Sequence, residues 1–186
     1  MARFPNCGVS GSRIDSARYN GTVPFVIRDF ALSDFDVLWR IDQDCFPSGI
    51  AYSRSELKSY MRRPDSFTLV ALESPPPSHN KSSSPFTLAY GGFIVAEAGR
   101  RSGHIVTIDV VASVRRSGVG SLLLRAAEDR LRAAHCSLVE LETAVDNTSA
   151  LSFYKRRGYS VIKTFPRYYS NGVDALVLQK DLTATP

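Results

Sequence analysis

Cysteine is scarce in this sequence: Cys7, Cys45 and Cys136 are the only three among 186 residues. An odd, widely spaced set builds neither a disulfide framework nor a metal site. No metal is expected, and a reducing, cytoplasmic setting fits best. Long apolar runs are missing as well. None approaches the ~20 residues that cross a bilayer, so a helical membrane protein is excluded. No apolar stretch of secretory-signal type opens the chain. What is present is ordinary for a folded protein. Hydrophobic residues make up 44% and charged residues 22%, a balance that argues against global disorder. A domain of this length buries roughly 70% of its unfolded surface and needs no covalent staple.

The charge is uneven. Lys and Arg total 23 against 18 Asp and Glu, a net +5. Residues 1–22 hold three arginines and one aspartate, and residues 23–97 hold seven bases and nine acids. Residues 98–167 hold twelve bases and six acids, so the excess gathers in one stretch. A local positive field faces a polyanion such as nucleic acid, an anionic membrane or a phosphorylated ligand. A plain solvated basic face is the alternative, and charge alone does not separate the two.

Residues 1–22 are rich in Ser, Gly, Arg and Asn without apolar period, and read as a disordered tail. The rest, 23–186, reads as a single domain. Within it, 73–86 is dominated by Pro and Ser and forms a flexible hairpin loop between two strands. Elsewhere the pattern predicts strands at 24–30, 66–72, 86–96, 104–112, 137–143, 159–165 and 174–180. Helices are expected from Ser33 to about Asp44, from Ser53 to about Met61, over 119–134 and over 149–157. Ser53 with Glu56 three residues on is a capping box, and Gly158 is placed to end the last helix. The order β-α-α-β-β-β-α-β-α-β-β is that of a mixed α/β domain.

The segment Ile108-Asp-Val-Val-Ala-Ser-Val-Arg-Arg-Ser-Gly-Val-Gly-Ser121 leads from a strand through two Arg and two Gly into a helix. Glycine lets backbone approach a ligand. Amides at a helix start point at an anion and the dipole favours it, and Arg115 and Arg116 supply charge-assisted bonds. These are the parts of a pyrophosphate cradle. Leu123 stands where a dinucleotide fingerprint needs its third glycine, and no G-K-[ST] follows, which excludes a nucleotide P-loop. A tight turn with a solvated Arg pair remains the plain alternative for this loop alone.

A second motif runs Leu141-Glu142-Thr-Ala-Val-Asp-Asn147-Thr-Ser-Ala150-Leu-Ser-Phe153-Tyr154-Lys-Arg-Arg-Gly158-Tyr159. Together the two resemble the R-R-x-G-x-G and E-x-x-x-x-N-x-x-A-x-x-F-Y-x-x-x-G-[FY] patterns of the GNAT superfamily of N-acetyltransferases. Within it the chain looks most like the N-terminal acetyltransferases of ribosomal-protein alanine (RimI) type. Cys45-Phe46-Pro47 with Tyr52-Ser53 resembles that group's F-P-x-x-[WY]-S region, and Arg167-Tyr168-Tyr169 with Asp174-Ala175 its closing segment. The likeness spans about 24–182 and implies a central, mostly antiparallel, twisted sheet splayed between its fourth and fifth strands.

The resemblance implies an acetyl-CoA-dependent enzyme that acetylates an amine, and it assigns roles. Arg115, Arg116, Ser117, Gly118, Val119, Gly120 and Ser121 would hold the CoA pyrophosphate. Asn147 would bond the pantetheine arm, with Ala112, Ala150 and Phe153 also on the cofactor. The backbone N–H of Val110 would meet the thioester oxygen, where one such donor is worth about 3 kcal/mol. Tyr154 would be the general acid, a phenol of pKa near 10 giving its proton to a thiolate. Glu142 would be the general base through water. His104, near 6.5, stands where related enzymes place a tyrosine and could share that task. Glu140 and Glu142 share a strand face, and two close carboxylates would raise one pKa. Phe46, Tyr52, Tyr168 and Tyr169 would line the acceptor groove.

Each residue has a plainer reading too. Asn147 caps a helix, Tyr154 and Phe46 are core aromatics, and Glu142 is a solvated edge carboxylate. The expected acceptor is the N-terminal α-amine of a protein or peptide, on a monomer or weak homodimer. A Lys side chain or small amine is the alternative, or a non-catalytic acyl-CoA-binding module. No nucleic acid or membrane partner is expected.

Overall fold

The computed structural model describes residues 25–46, 49–74 and 89–183. The tail at 1–22 and most of the Pro/Ser loop lie outside them. The described chain runs β1 (Phe25–Asp29), α1 (Phe35–Cys45), α2 (Arg54–Met61), β2 (Ser66–Glu73), β3 (Tyr90–Ala98), β4 (Ser102–Val110), α3 (Val119–Ala133), β5 (Leu138–Ala144), α4 (Thr148–Lys155), β6 (Ser160–Phe165) and β7 (Ala175–Asp181). The element order is the one expected. Among the described residues no helix is long and apolar enough to cross a membrane.

One seven-stranded sheet has the order β1-β2-β3-β4-β5-β7-β6. Every adjacent pair is antiparallel except β4 with β5. Alternation along β3 serves two cores. Phe93 and Val95 join Leu38, Leu57 and Val70 beneath α1 and α2. Ile94 and Ala96 join Leu123, Leu124, Leu131, Tyr154 and Tyr159 beneath α3 and α4.

Local chemistry sets the helix ends. Ser53 accepts from the Glu56 amide and Glu56 reaches back to the Ser53 amide, completing the expected box. Ser33 does not cap α1. The chain enters through a 3-10 turn at Leu32–Asp34, and Asp34 is the N-cap residue. The Asp34 carboxylate is held by Arg28, the Tyr90 hydroxyl and the Ala31 amide. Those bonds hold it well below the usual carboxylate range, at about 2, against the opposing cost of burial. The fourth strand starts and stops two residues early, and Ala112 falls in an exposed 3-10 turn, Ala112–Val114.

Candidate active site

Strands β4 and β5 pair in parallel only over Ser102–Ile105 with Leu138–Leu141. Beyond that rung, β4 stays with β3 and β5 with β7, so the sheet opens between them as the expected splay. A bulge helps to turn β4. Val95 faces Thr107 and Ala96 faces Ile105, which leaves Val106 as the extra residue. Further along, Val111 donates its amide to the Gly91 carbonyl at 3.0 Å. Antiparallel partners alternate from edge to edge, so the peptide groups of Val110 point away from β3, into the opening.

His104 lies one rung before the end of that ladder and Glu142 one residue beyond it, and their side chains meet with Nε2 and Oε2 2.7 Å apart. Both side chains keep some exposure, 38% and 20%. Burial pulls the imidazole down. The hydrogen bond and charge of Glu142, with the charges of Glu97 and Glu140, outweigh it and raise His104 above its ordinary value. Glu140 does not pair with Glu142. It accepts from Gln179 Nε2 at 2.7 Å. The partner of Glu142 is therefore a base rather than a second acid, and the pair can pass a proton between strands.

At the other end of the opening lies the Arg/Gly loop. Arg116 and Gly118 both take left-handed backbone, at φ 63° and 99°. That twist turns the chain abruptly into α3, whose N-cap, Gly118, offers no side-chain bond. The first turn of α3 holds no acid, and Val119 is buried beneath it while Gly120 and Ser121 stay partly open. Uncapped amides, a positive helix end and two exposed arginines fit a phosphate group. Arg115 itself folds back, with Nε donating to the Val110 carbonyl at 2.9 Å and Nη2 to Cys45 Sγ at 3.5 Å. The loop therefore presents Arg116 outward and uses Arg115 as a strut. Ser117 is tied to its own turn through the Val114 carbonyl.

Helix α4 forms the floor beneath the loop. The Asn147 side-chain Oδ1 accepts from the Ala150 amide at 3.1 Å, so Asn147 is a helix cap whose side-chain Nδ2 stays available as a donor. Phe153 is the nearest ring to Gly120, 3.6 Å from where a Cβ would stand. Tyr154 is 6% exposed, edge-on to Phe153 and tilted against Tyr159. Burial, then the Asp109 carboxylate and Tyr169, push its hydroxyl above the usual phenol range. It stays protonated at any working pH.

Aromatic side chains from two loops enclose the histidine end. The Tyr52 hydroxyl donates to the bulged Val106 carbonyl at 3.3 Å, and its ring lies 5.1 Å from that of Tyr60. Tyr168 is 52% exposed and meets Tyr169 edge-on at 5.1 Å. Burial, then Tyr168, Glu142 and Asp146, push the Tyr169 hydroxyl up to about 12. The two loops touch where Ser170 Oγ donates to the Gly49 carbonyl at 2.7 Å. Phe46 caps α1, half-buried.

Two further carboxylates, one on α1 and one on β4, escape a pattern-based reading. Asp42 and Asp109 are buried, at 0% and 1% exposure. Asp42 Oδ2 accepts from the Tyr52 amide at 2.9 Å, and Asp109 Oδ2 from Thr107 at 2.9 Å. The other oxygen of each has no partner among the described residues. Burial pushes Asp42 up to about 6, and burial with the charge of Asp42 raises Asp109 well above the usual carboxylate range. Buried acids have no periodic signature, because strand and helix alternation predict apolar residues at those positions.

The acetyltransferase (GNAT) family pattern matches residues 35–159. An uncharacterized N-acetyltransferase of Methanocaldococcus jannaschii is 27% identical over 157 residues, 83% of this chain and 90% of that protein. Human N-alpha-acetyltransferase 30 is 40% identical over 79 residues, which is 42% of this chain and 22% of the human one. The crystal structure of Ard1 from Thermoplasma volcanium superposes with a TM-score of 0.71 at 26% identity, covering 84% of this chain and 97% of Ard1.

Proposed function

The chain belongs to the acetyltransferase (GNAT) family and is an acetyl-CoA-dependent N-acetyltransferase; from that premise we propose that its acceptor is the N-terminal α-amine of a protein or peptide. The observation that carries this reading is the 2.7 Å His104–Glu142 pair at the closed end of the splay. An α-amine titrates near 7.7–8.0 and a Lys side chain near 10.4. An imidazole raised above its ordinary value by a carboxylate moves towards the first of these. The likeness to a named N-alpha-acetyltransferase supports the same acceptor.

Acetyl-CoA supplies an acetyl group already activated as a thioester. The residues fit it by their chemistry: Arg116, Gly118, Val119, Gly120 and Ser121 for the phosphates, with Arg115 bracing the loop from within. The Asn147 side-chain amide and the half-buried Ala150 and Phe153 suit the pantetheine arm. The Val110 N–H, turned into the opening, is the donor for the thioester oxygen. Glu142 accepts the proton of the attacking amine through a water, and His104 shares that proton across 2.7 Å. Tyr154, kept protonated by its burial, is the acid that serves the departing sulfur. Tyr52, Tyr168 and Tyr169 wall the acceptor side, and Phe46 shapes the loop that carries Tyr52.

A thiol-release assay with acetyl-CoA tests the reading. Free-N-terminus peptides differing in their first two residues should turn over, with a preference among them. A peptide with a blocked N-terminus and a free Lys should not. Turnover of the blocked peptide alone would assign the acceptor to the Lys side chain.

A further inference from the structure

Arg157 follows α4, and its backbone amide donates to the Tyr154 carbonyl at 2.9 Å. Its side chain turns towards α3, where Nη2 donates to the Ser121 hydroxyl. The guanidinium lies 5.7 Å from the centre of the Phe153 ring, the ring that faces Gly120. A cation from α4 therefore stands against the first turn of α3.

Among the described residues nothing of opposite charge meets it. The side chain is half-buried, its Nε is enclosed without a partner, and its one side-chain hydrogen bond goes to a neutral hydroxyl. Among the described residues no carboxylate pairs with it. The adjoining helix end is itself positive, and its first turn contains no acid. Arg116 adds a further charge on the same loop. Partial burial of an unpaired cation against a positive dipole is unfavourable. An anion at the first turn of α3 reverses both penalties. A guanidinium fork suits a phosphoryl group in particular, because its planar donors match two oxygens at once.

We propose that Arg157 is a phosphate-binding arm of the acetyl-CoA site, reaching from α4 to a phosphoryl oxygen held beside Ser121 at the start of α3. The inference rests on the assignment of residues 115–121 to the cofactor phosphates. It gives α4 a second tie to the cofactor, three residues beyond Tyr154. The phosphoryl group belongs either to the pyrophosphate or to the ribose 3′-phosphate, which share this chemistry.

Calorimetric titration of CoA and of 3′-dephospho-CoA into the wild-type protein, Arg157→Gln, Arg157→Lys and Arg116→Gln tests it, with thermal unfolding of each ligand-free protein alongside. Arg157→Gln should bind CoA about tenfold more weakly, the scale of one charged hydrogen bond, with an unchanged unfolding midpoint. Arg157→Lys should recover part of the loss. A loss confined to CoA identifies the 3′-phosphate as partner, and an equal loss for both ligands identifies the pyrophosphate. Undiminished CoA affinity in Arg157→Gln overturns the inference. So does a loss that follows a lowered unfolding midpoint and is not recovered by Lys. If Arg116→Gln weakens binding and Arg157→Gln does not, only the role of Arg157 fails. If neither weakens it, the assignment of the loop fails.

Discussion

His104 and Glu142 stand 38 residues apart in the chain and 2.7 Å apart in space, and the partnership sets how the imidazole titrates. Burial lowers the pKa of His104, and three carboxylates, Glu142, Glu97 and Glu140, raise it. Glu142→Gln removes the strongest raising partner, both its hydrogen bond and its charge. The sign follows directly: the His104 pKa falls, and the neutral, proton-accepting ring appears at lower pH. An NMR titration of the imidazole carbons should place His104 above 6.5 in the wild-type protein and lower in Glu142→Gln. An unmoved His104 would mean that the pair is not coupled in solution. Glu142, Tyr154 and Asn147 are picked out as candidates by the sequence alone, because each stands at a fixed offset in a motif. Their partners were not. That Glu142 faces His104, Glu140 faces Gln179 and Ser121 meets Arg157 depends on strand register and on the α3–α4 packing, which no linear spacing encodes.

Elements were legible where their chemistry is local. The Ser53–Glu56 box spans four residues and needs nothing else, so it is readable from sequence. The start of α1 is not, because Asp34 is fixed by Arg28 on a strand and Tyr90 on another. Chemical denaturation separates the two: Ser53→Ala should cost about 1 kcal/mol of stability, whereas Ser33→Ala should cost less than about 0.5 kcal/mol, as an exposed surface change does. An equal loss in both would return the capping role to Ser33. On α3 the buried side is uneven. Leu124 and Ala127 are fully buried where Leu122 and Ala126 are only partly so. Glu128 is buried among them, held by the Tyr159 hydroxyl at 3.0 Å and Lys180 at 2.7 Å. A charge with distant partners on the buried face blurs the stripe that a periodicity reading follows.

At the scale of the whole molecule, the basic stretch of 98–167 divides by partner. Arg130 pairs with Asp29, and Arg132 with Asp129 and Glu128, far from the loop. In the acidic stretch, Asp34 is taken by Arg28, Asp36 by Arg54 and Glu97 by Arg63. Segment totals count charge that the fold then neutralises internally. At the start of α3, whose first turn holds no acid, Arg116 and Arg157 form no ion pair among the described residues.

The splay between β4 and β5 has a kinetic consequence as well. A sheet of seven strands has two rims, but this one also has a rim at its centre, since β4 beyond Ile105 has a neighbour on one side only. Isotope labelling should register that. In ligand-free protein the amides of Ile108 and Val110 should take up deuterium as rim amides do, although β4 is fourth of seven in the sheet. Saturation with acetyl-CoA should slow them while Leu69 and Val70 in β2 stay as they were. The middle of this sheet is thus its least finished part, a strand edge enclosed within the molecule rather than at its border.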